Sequence, residues 1–168
     1  MAKLLLCNPL FLSQSLEEQA LKSPYFPLGL LYLAAYLREH NHTVTIFDGT
    51  FQPDVSTFLE MLQQESPDVV GITALLPTKA PALKLAAIAH DFGATVILGG
   101  PDPTRSPKTY LACPQVDLVA HHEGEETLLA LLDLFDEKRL TPETLQNELG
   151  VAYRDPAGEI ILNPPRPN

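Results

Sequence analysis

Basic residues are scarce in this chain. Eleven Lys and Arg stand against 21 Asp and Glu in 168 residues, a formal charge of −10. Nucleic acid and anionic membrane surfaces both reward clustered cations, so neither is an expected partner; the acidity itself serves solubility. Cysteine is also rare: Cys7 and Cys113 lie far apart and in no paired motif. Two isolated thiols fit a reducing cytoplasm better than a disulfide scaffold. Long apolar runs are missing. Leu4-Leu5-Leu6 is too short for a signal peptide and meets Asn8-Pro9 almost at once, and no stretch reaches the length of a membrane span. With 45% hydrophobic and 19% charged residues, the composition is globular and excludes a disordered chain. The expectation is one soluble, cytoplasmic domain with room for a small appendage.

What is present is an alternation of strand and helix patterns. Leu4 to Cys7 is a short apolar run of the kind a buried strand makes, followed after a polar loop by Leu28 to Arg38, which is apolar nearly all round and predicts a well-buried helix. Thr43 to Phe47 is a second strand. Val55, Phe58, Leu59 and Leu62 recur at helical spacing behind Asp54, a suitable cap. Val69 to Leu75, Thr95 to Leu98 and Val116 to Ala120 are three more strands. They are followed in turn by helices over Pro81 to Phe92, from Ser106-Pro107, and over Leu128 to Phe135. Five β-α units with short connections require a parallel sheet covered on both faces, because parallel strands need crossover helices. Beyond residue 140, Thr141-Pro142 starts a short helix, and Val151 to Tyr153 and Glu159 to Leu162 flank a turn at Asp155 to Gly158, a β-hairpin. Asn163-Pro164-Pro165-Arg166-Pro167-Asn168 is a linker by composition.

In an open α/β sheet the ligand sits at the carboxyl ends of the strands, so the residues following each strand are the ones to inspect. They are Asn8 and Pro9 at the start of a long loop reaching Pro27; Thr73, Ala74, Leu75, Leu76, Pro77 and Thr78; Gly99, Gly100 and Pro101 to Thr104; and His121, His122, Glu123 and Gly124. No phosphate-cradling Walker loop is present, and Gly-x-Gly-x-x-Gly is missing after the first strand. The acidic residues of a phospho-receiver are absent as well. Glu125 and Glu126 complement a helix N-terminus and discourage a polyphosphate. The remaining ligand is large and mostly uncharged. The Gly99-Gly100 pair leaves a strand end without side chains, which admits a flat ligand against the backbone and equally admits a tight turn.

Taken together, these segments resemble the cobalamin-binding domain at the front of B12-dependent radical-SAM proteins. Gly71 to Thr78 is similar to its third-strand signature, Gly99 to Thr104 to its glycine pair, Pro27 to Arg38 to its first helix, and His122 to Thr127 to its acidic-glycine loop. Gly150 to Arg154 with Asn163 to Pro167 resembles the hairpin and connector that precede the radical-SAM barrel. The resemblance implies a flavodoxin-like (Rossmann-like), doubly wound, five-stranded parallel sheet with a C-terminal β-hairpin. Residues 1–140 would be the cobalamin-binding domain, and 141–168 the short helix, hairpin and connector towards a radical-SAM domain in cis or in trans. It implies cofactor contacts at Asn8, Pro9, Thr73, Ala74, Leu75, Pro77, Thr78, Gly99, Gly100, Pro101, His122, Glu123 and Gly124, with no catalytic residue and no protein ligand to a metal.

The sequence departs from the family pattern in three places. The radical-SAM cysteine triplet is absent, so an iron–sulfur cluster and S-adenosylmethionine belong to another domain, and this chain alone is not the enzyme. Asp102 stands where many relatives have histidine, and His122 where they have glycine. The loop after the first strand has no histidine to ligate cobalt, which implies cobalamin held base-off without histidine ligation. The longer protein would be a methyltransferase or a ring-forming enzyme. The other readings are a stand-alone cobalamin carrier or sensor, and a ligand-free Rossmann-like interaction module. Strand alternation allows only one of His121 and His122 to face the site, and His122 is the one expected there.

Overall fold

In the computed structural model, which describes residues 1–14 and 26–167, five parallel strands form the centre of the chain. They are β1 (Lys3–Asn8), β2 (Thr43–Asp48), β3 (Val69–Thr73), β4 (Thr95–Gly99) and β5 (Leu118–Ala120). The helices are α1 (Leu28–Glu39), α2 (Ser56–Glu65), α3 (Lys79–Asp91), α4 (Pro101–Arg105), α5 (Pro107–Leu111), α6 (Glu125–Asp136) and α7 (Pro142–Leu145). Strands β6 (Val151–Arg154) and β7 (Ile160–Leu162) close the chain. The sheet order is β2-β1-β3-β4-β5-β6-β7. The chain therefore winds outward in both directions from β1 and β3, the doubly wound topology expected.

Strand alternation sorts the core into two layers. Leu5, Cys7, Val70, Ile72, Val96, Leu98 and Val119 point to one face and pack under α2, α3 and α5, with Phe58, Leu62, Leu85 and Tyr110. Leu4, Leu6, Val69, Ile97 and Leu118 point to the other and pack under α1, α6 and α7, with Leu30, Leu37, Leu128 and Leu131. The second layer is the thinner one, because α1 buries only the stripe Leu30, Ala34 and Leu37. The expected well-buried helix is thus half exposed, with Tyr32 at 67% and Leu28 at 54%. Apolar sequence all round does not bury a helix that meets the sheet along a single stripe.

Three boundaries differ from the sequence pattern for local reasons. β3 stops at Thr73 because Thr78 Oγ1 captures the Leu75 amide at 3.0 Å and turns Leu76–Thr78 into a single 3-10 turn. β5 begins at Leu118 because the Val116 amide is used by a turn to Cys113 O at 3.1 Å. α4, which the sequence did not announce, starts directly behind Gly100. Asp54 does serve the start of α2, accepting from the Ser56 amide at 2.7 Å. The centre of the long loop between Asn8 and Pro27 lies outside the described residues. Among those described, no helix is long and apolar enough to cross a membrane.

The hairpin continues the sheet. β6 pairs antiparallel with β5 (Val119 with Ala152) and β7 pairs antiparallel with β6. Asp155 Oδ1 accepts from the Ala157 and Glu159 amides and shapes the turn. Arg154 then fixes the hairpin to the body: its guanidinium donates to Leu111 O at 2.5 Å, Val116 O at 2.7 Å, and Cys113 O and Pro114 O at 3.3 Å each. These carbonyls lie at the end of α5 and in the stretch leading to β5, and a planar five-donor cation is suited to gather them. Arg154→Ala should cost about 2–3 kcal/mol of stability, the range for charge-assisted hydrogen bonds. Urea unfolding measures this, and Arg154→Lys should recover little because an ammonium cannot span all four carbonyls. A variant as stable as the parent would show that the clamp contributes nothing.

Candidate functional site

The carboxyl edge of the sheet carries a cleft of about 230 Å³ on the face shared by α1 and α6. Register explains it. Leu6, Gly71 and Ile97 lie side by side across β1, β3 and β4, and the next row up on that face is Thr73 and Gly99, with Ala120 of β5. Two glycines and an alanine in these rows remove the side chains that would otherwise fill the space between the helices. Gly29, Leu30 and Leu33 of α1 form one wall, and Glu125 and Leu128 of α6 with the loop His122-Glu123-Gly124 form the other. The cleft spans β1 to β5, broader than a slot between the first and third strands.

The two glycines of the pair do different things. Gly100 has φ +95°, and a Cβ there would stand 2.6 Å from Thr73 Oγ1 and 3.0 Å from Ala74 O. It is the turn glycine, since an L side chain fits neither the conformation nor the space. Gly99 is open: the nearest atom to its added Cβ is Ala120 O at 3.4 Å. Gly29 has nothing within 4 Å of an added Cβ. Gly29 and Gly99 are therefore bare for want of a side chain and not because the fold forbids one. A bare, mostly apolar cleft with one hydroxyl (Thr73) and carboxylates at the rim fits a large uncharged group lying against backbone.

Of the residues singled out in the sequence, Thr73, Gly99, Gly100, Pro101, His122, Glu123 and Gly124 line this cleft. Asn8, Pro9, Ala74, Leu75, Pro77 and Thr78 do not. Asn8 is buried and donates to Asp48 Oδ1 at 2.9 Å and Thr50 Oγ1 at 3.2 Å, holding the loop after β2. Ala74 is fully buried, and Thr78 is spent on Leu75. Leu6, Leu30, Leu33, Ile97, Ala120 and Leu128 were missed; their helical or strand periodicity reads simply as core. Gly29 and Gly71 carried a usable signal, being glycines inside otherwise continuous elements.

Asp102 is occupied by the fold: its Oδ2 accepts from the Tyr110 hydroxyl at 2.5 Å, and Lys79 Nζ sits 5.4 Å from the centre of that ring. Burial, followed by this carboxylate, raises the Tyr110 pKa and keeps the phenol protonated. The chain has left β5 at Ala120 before this pair, so strand alternation does not sort His121 from His122, and their rings meet edge to face with centroids 5.2 Å apart. His122 is exposed, lines the cleft, and takes φ +62°, with its amide donating to Thr104 Oγ1 at 3.0 Å. His121 is buried, and its Nε2 has no hydrogen-bond partner among the described residues. His40, at the end of α1, His42, before β2, and His90, in the last turn of α3, lie at the opposite edge. No group of three or more His, Cys, Asp and Glu among the described residues could hold a metal ion.

An open, doubly wound α/β sheet with a bare cleft at its carboxyl edge defines a ligand-binding domain of the flavodoxin-like class. The B12 binding domain family matches residues 19–132, and the chain belongs to that family. It is 37% identical over 145 residues to an uncharacterized methyltransferase of Pyrococcus horikoshii, covering 84% of this chain and 30% of the relative. It is 30% identical over 147 residues to the anaerobic magnesium-protoporphyrin IX monomethyl ester cyclase of Rubrivivax gelatinosus, covering 84% of this chain and 26% of that one. The cobalamin-dependent S-adenosylmethionine radical enzyme OxsB, solved with aqua-cobalamin and S-adenosylmethionine bound, superposes with a TM-score of 0.82. That likeness, at 21% identity, covers the whole of this chain and 23% of OxsB, and shows the same fold. The chain spans about a third or less of the length of the curated relatives it matches.

Burial is the main cause of a lowered His121 pKa, with His122 adding to it and hydrogen bonds at Asn163 and Val151 opposing. The folded pKa lies below the unfolded one, so the unfolded chain takes up the proton first as pH falls. The stability held by neutral His121 is complete above about pH 6.5 and is lost as pH drops through the folded pKa. Urea midpoints at pH 7.5 and 5.5 should therefore fall less in His121→Phe than in the parent. An equal fall in both proteins would remove His121 from the acid response.

Proposed function

We propose that this domain binds cobalamin base-off, without histidine ligation, and presents it to a radical-SAM domain of the same longer protein. The observation that carries the reading is the cleft itself, bare at Gly29 and Gly99 and floored by Gly71 and Ala120 in a chain of the B12-binding family. The nucleotide tail would lie in the cleft against Thr73, Gly99, Gly100 and Pro101, with His122, Glu123 and Gly124 at the rim. Leu75 and Pro77 stand beyond the end of β3 on the same edge, within the area a corrin would cover. Asn8, Pro9, Ala74 and Thr78 support these loops from within the core. Bound cobalamin supplies a cobalt centre for alkyl transfer or one-electron chemistry.

The chain's own residues bind and orient. Leu30, Leu33, Ile97 and Leu128 exclude water from the cleft, and Glu125 complements the N-terminus of α6. Residues 1–140 act as the cofactor domain and 141–168 as hairpin and connector. The names of the relatives, a methyltransferase and a cyclase, support a methyl-transferring or ring-forming reaction in the longer protein, and their greater length supports a radical-SAM domain in cis.

Purified protein mixed with hydroxocobalamin and passed through gel filtration should retain the corrin and, after reduction, show the base-off cob(II)alamin absorption spectrum. A base-on spectrum would contradict the proposal. His122→Gly should leave that spectrum nearly unchanged, because His122 is a rim residue; nitrogen superhyperfine splitting in the EPR signal that disappears in the variant would make it a cobalt ligand instead. Gly99→Val should fold and lose cobalamin, since its side chain enters open cleft. Gly100→Ala should instead lose about 1–3 kcal/mol of stability from backbone strain and the clash with Thr73. A folded Gly99→Val protein that keeps cobalamin would place the tail elsewhere.

A further inference from the structure

The composition of residues 163–168 predicts a linker, yet Asn163, Pro164 and Arg166 are each tied to the body. Asn163 is buried, and its Nδ2 donates to Leu145 O and Glu148 O, both at 2.6 Å. Its amide donates to Val151 O at 3.0 Å, and Pro164 O accepts from the Gly150 amide at 2.8 Å. Arg166 then reaches back over the N-terminus of α6. Nε donates to Thr127 Oγ1 at 3.1 Å, Nη2 lies 3.4 Å from Glu148 and Nη1 3.8 Å from Glu126. The Arg166 side chain is only 20% exposed, so most of its ordering entropy is already lost in the folded domain.

Thr127 is the junction. It is fully buried, accepts from Arg166, and donates its own proton to Glu123 O at 3.4 Å. Glu123 and its neighbours Gly124 and Glu125 line the cleft. On its other side Thr127 packs against Gly150, where an added Cβ would come within 2.5 Å of Oγ1. Gly150 O in turn accepts from the His121 amide at 2.9 Å, one residue before His122 of the rim. Two short paths of hydrogen bonds and packing therefore run from the connector to the cleft wall.

We propose that Arg166 is a positioning residue that couples occupancy of the cleft to the course of the chain beyond Leu162, making the connector a strap whose direction depends on whether the cofactor is bound. This rests on the cleft being the cobalamin site. Coupling is reciprocal: if the bound cofactor tightens the strap, the strap tightens the cofactor by the same factor.

The test uses the whole chain carrying a nitroxide at Pro167→Cys in a Cys113→Ser background. Hydroxocobalamin should immobilise the label further in this parent, where Arg166 already holds the strap. In Arg166→Ala the label should be mobile with or without hydroxocobalamin, and the affinity for hydroxocobalamin should fall about five- to tenfold, the lower part of the usual coupling range. Arg166→Lys should be intermediate, keeping charge near Glu148 without the fork that also reaches Thr127. A label insensitive to hydroxocobalamin in the parent, or Arg166→Ala binding as tightly as the parent, would overturn the coupling while leaving the cobalamin site intact. Failure of the parent to bind hydroxocobalamin at all would overturn the site and the coupling together.

Discussion

The site depends on the pairing of β3 with β4 being carried one residue past the strands. Ala74 N donates to Gly99 O at 2.9 Å, and Asp102 N donates back to Ala74 O at 3.2 Å. This bracket forces the chain to reverse at Gly100 with φ +95°, tucked against Thr73, and to start α4 at once. With the turn fixed, Gly99 stays in strand register and offers bare backbone to the cleft. Asp102 and Tyr110 then tie α4 to α5, so the loop is braced from the far side of the sheet. The pairing, the turn and the brace are each local, and together they leave a strand end with no side chain at the cleft.

The walls of the cleft are held by different means. α1 rests on the sheet by Leu30, Ala34 and Leu37, is tied to β2 by Arg38 Nη2 donating to Val44 O at 2.7 Å, and presents Gly29 and Leu33 to the opening. α6 contributes through shape and charge. Its first turn carries Glu125 and Glu126, where carboxylates are favourable, and Arg166 partly neutralises Glu126 and Glu148. In a chain of net charge −10, three cations are spent on structure: Lys79 over Tyr110, Arg166 on α6 and, toward the opposite edge of the sheet, Arg154 on four carbonyls. None of these three lines the cleft. That arrangement suits a neutral ligand with amide groups better than an anion.

Much of this was legible in the sequence. Period-two and period-3.6 patterns located all seven strands and most helices, and alternating β and α segments required a parallel sheet. The carboxyl-edge rule then pointed to four loops, of which those after β4 and β5 supply cleft residues, while β3 reaches the cleft through its own Gly71, Ile72 and Thr73. At the end of β1, Asn8 is consumed by Asp48 and Thr50. The composition of Asn163 to Pro167 carries no information about the contacts of Asn163 and Arg166, whose partners lie far back in the chain.

Periodicity and backbone permissiveness are local properties, so the order of residues already shows which segments alternate and which strand ends lack side chains. Only the folded chain shows which glycine of the pair is structural and which is open. It also shows that the hairpin joins the main sheet, that His121 is the buried member of its pair, and that Arg166 packs back over the start of α6. Each of those outcomes turns on a contact between residues tens of positions apart, whose geometry exists only once the sheet register and helix packing are set.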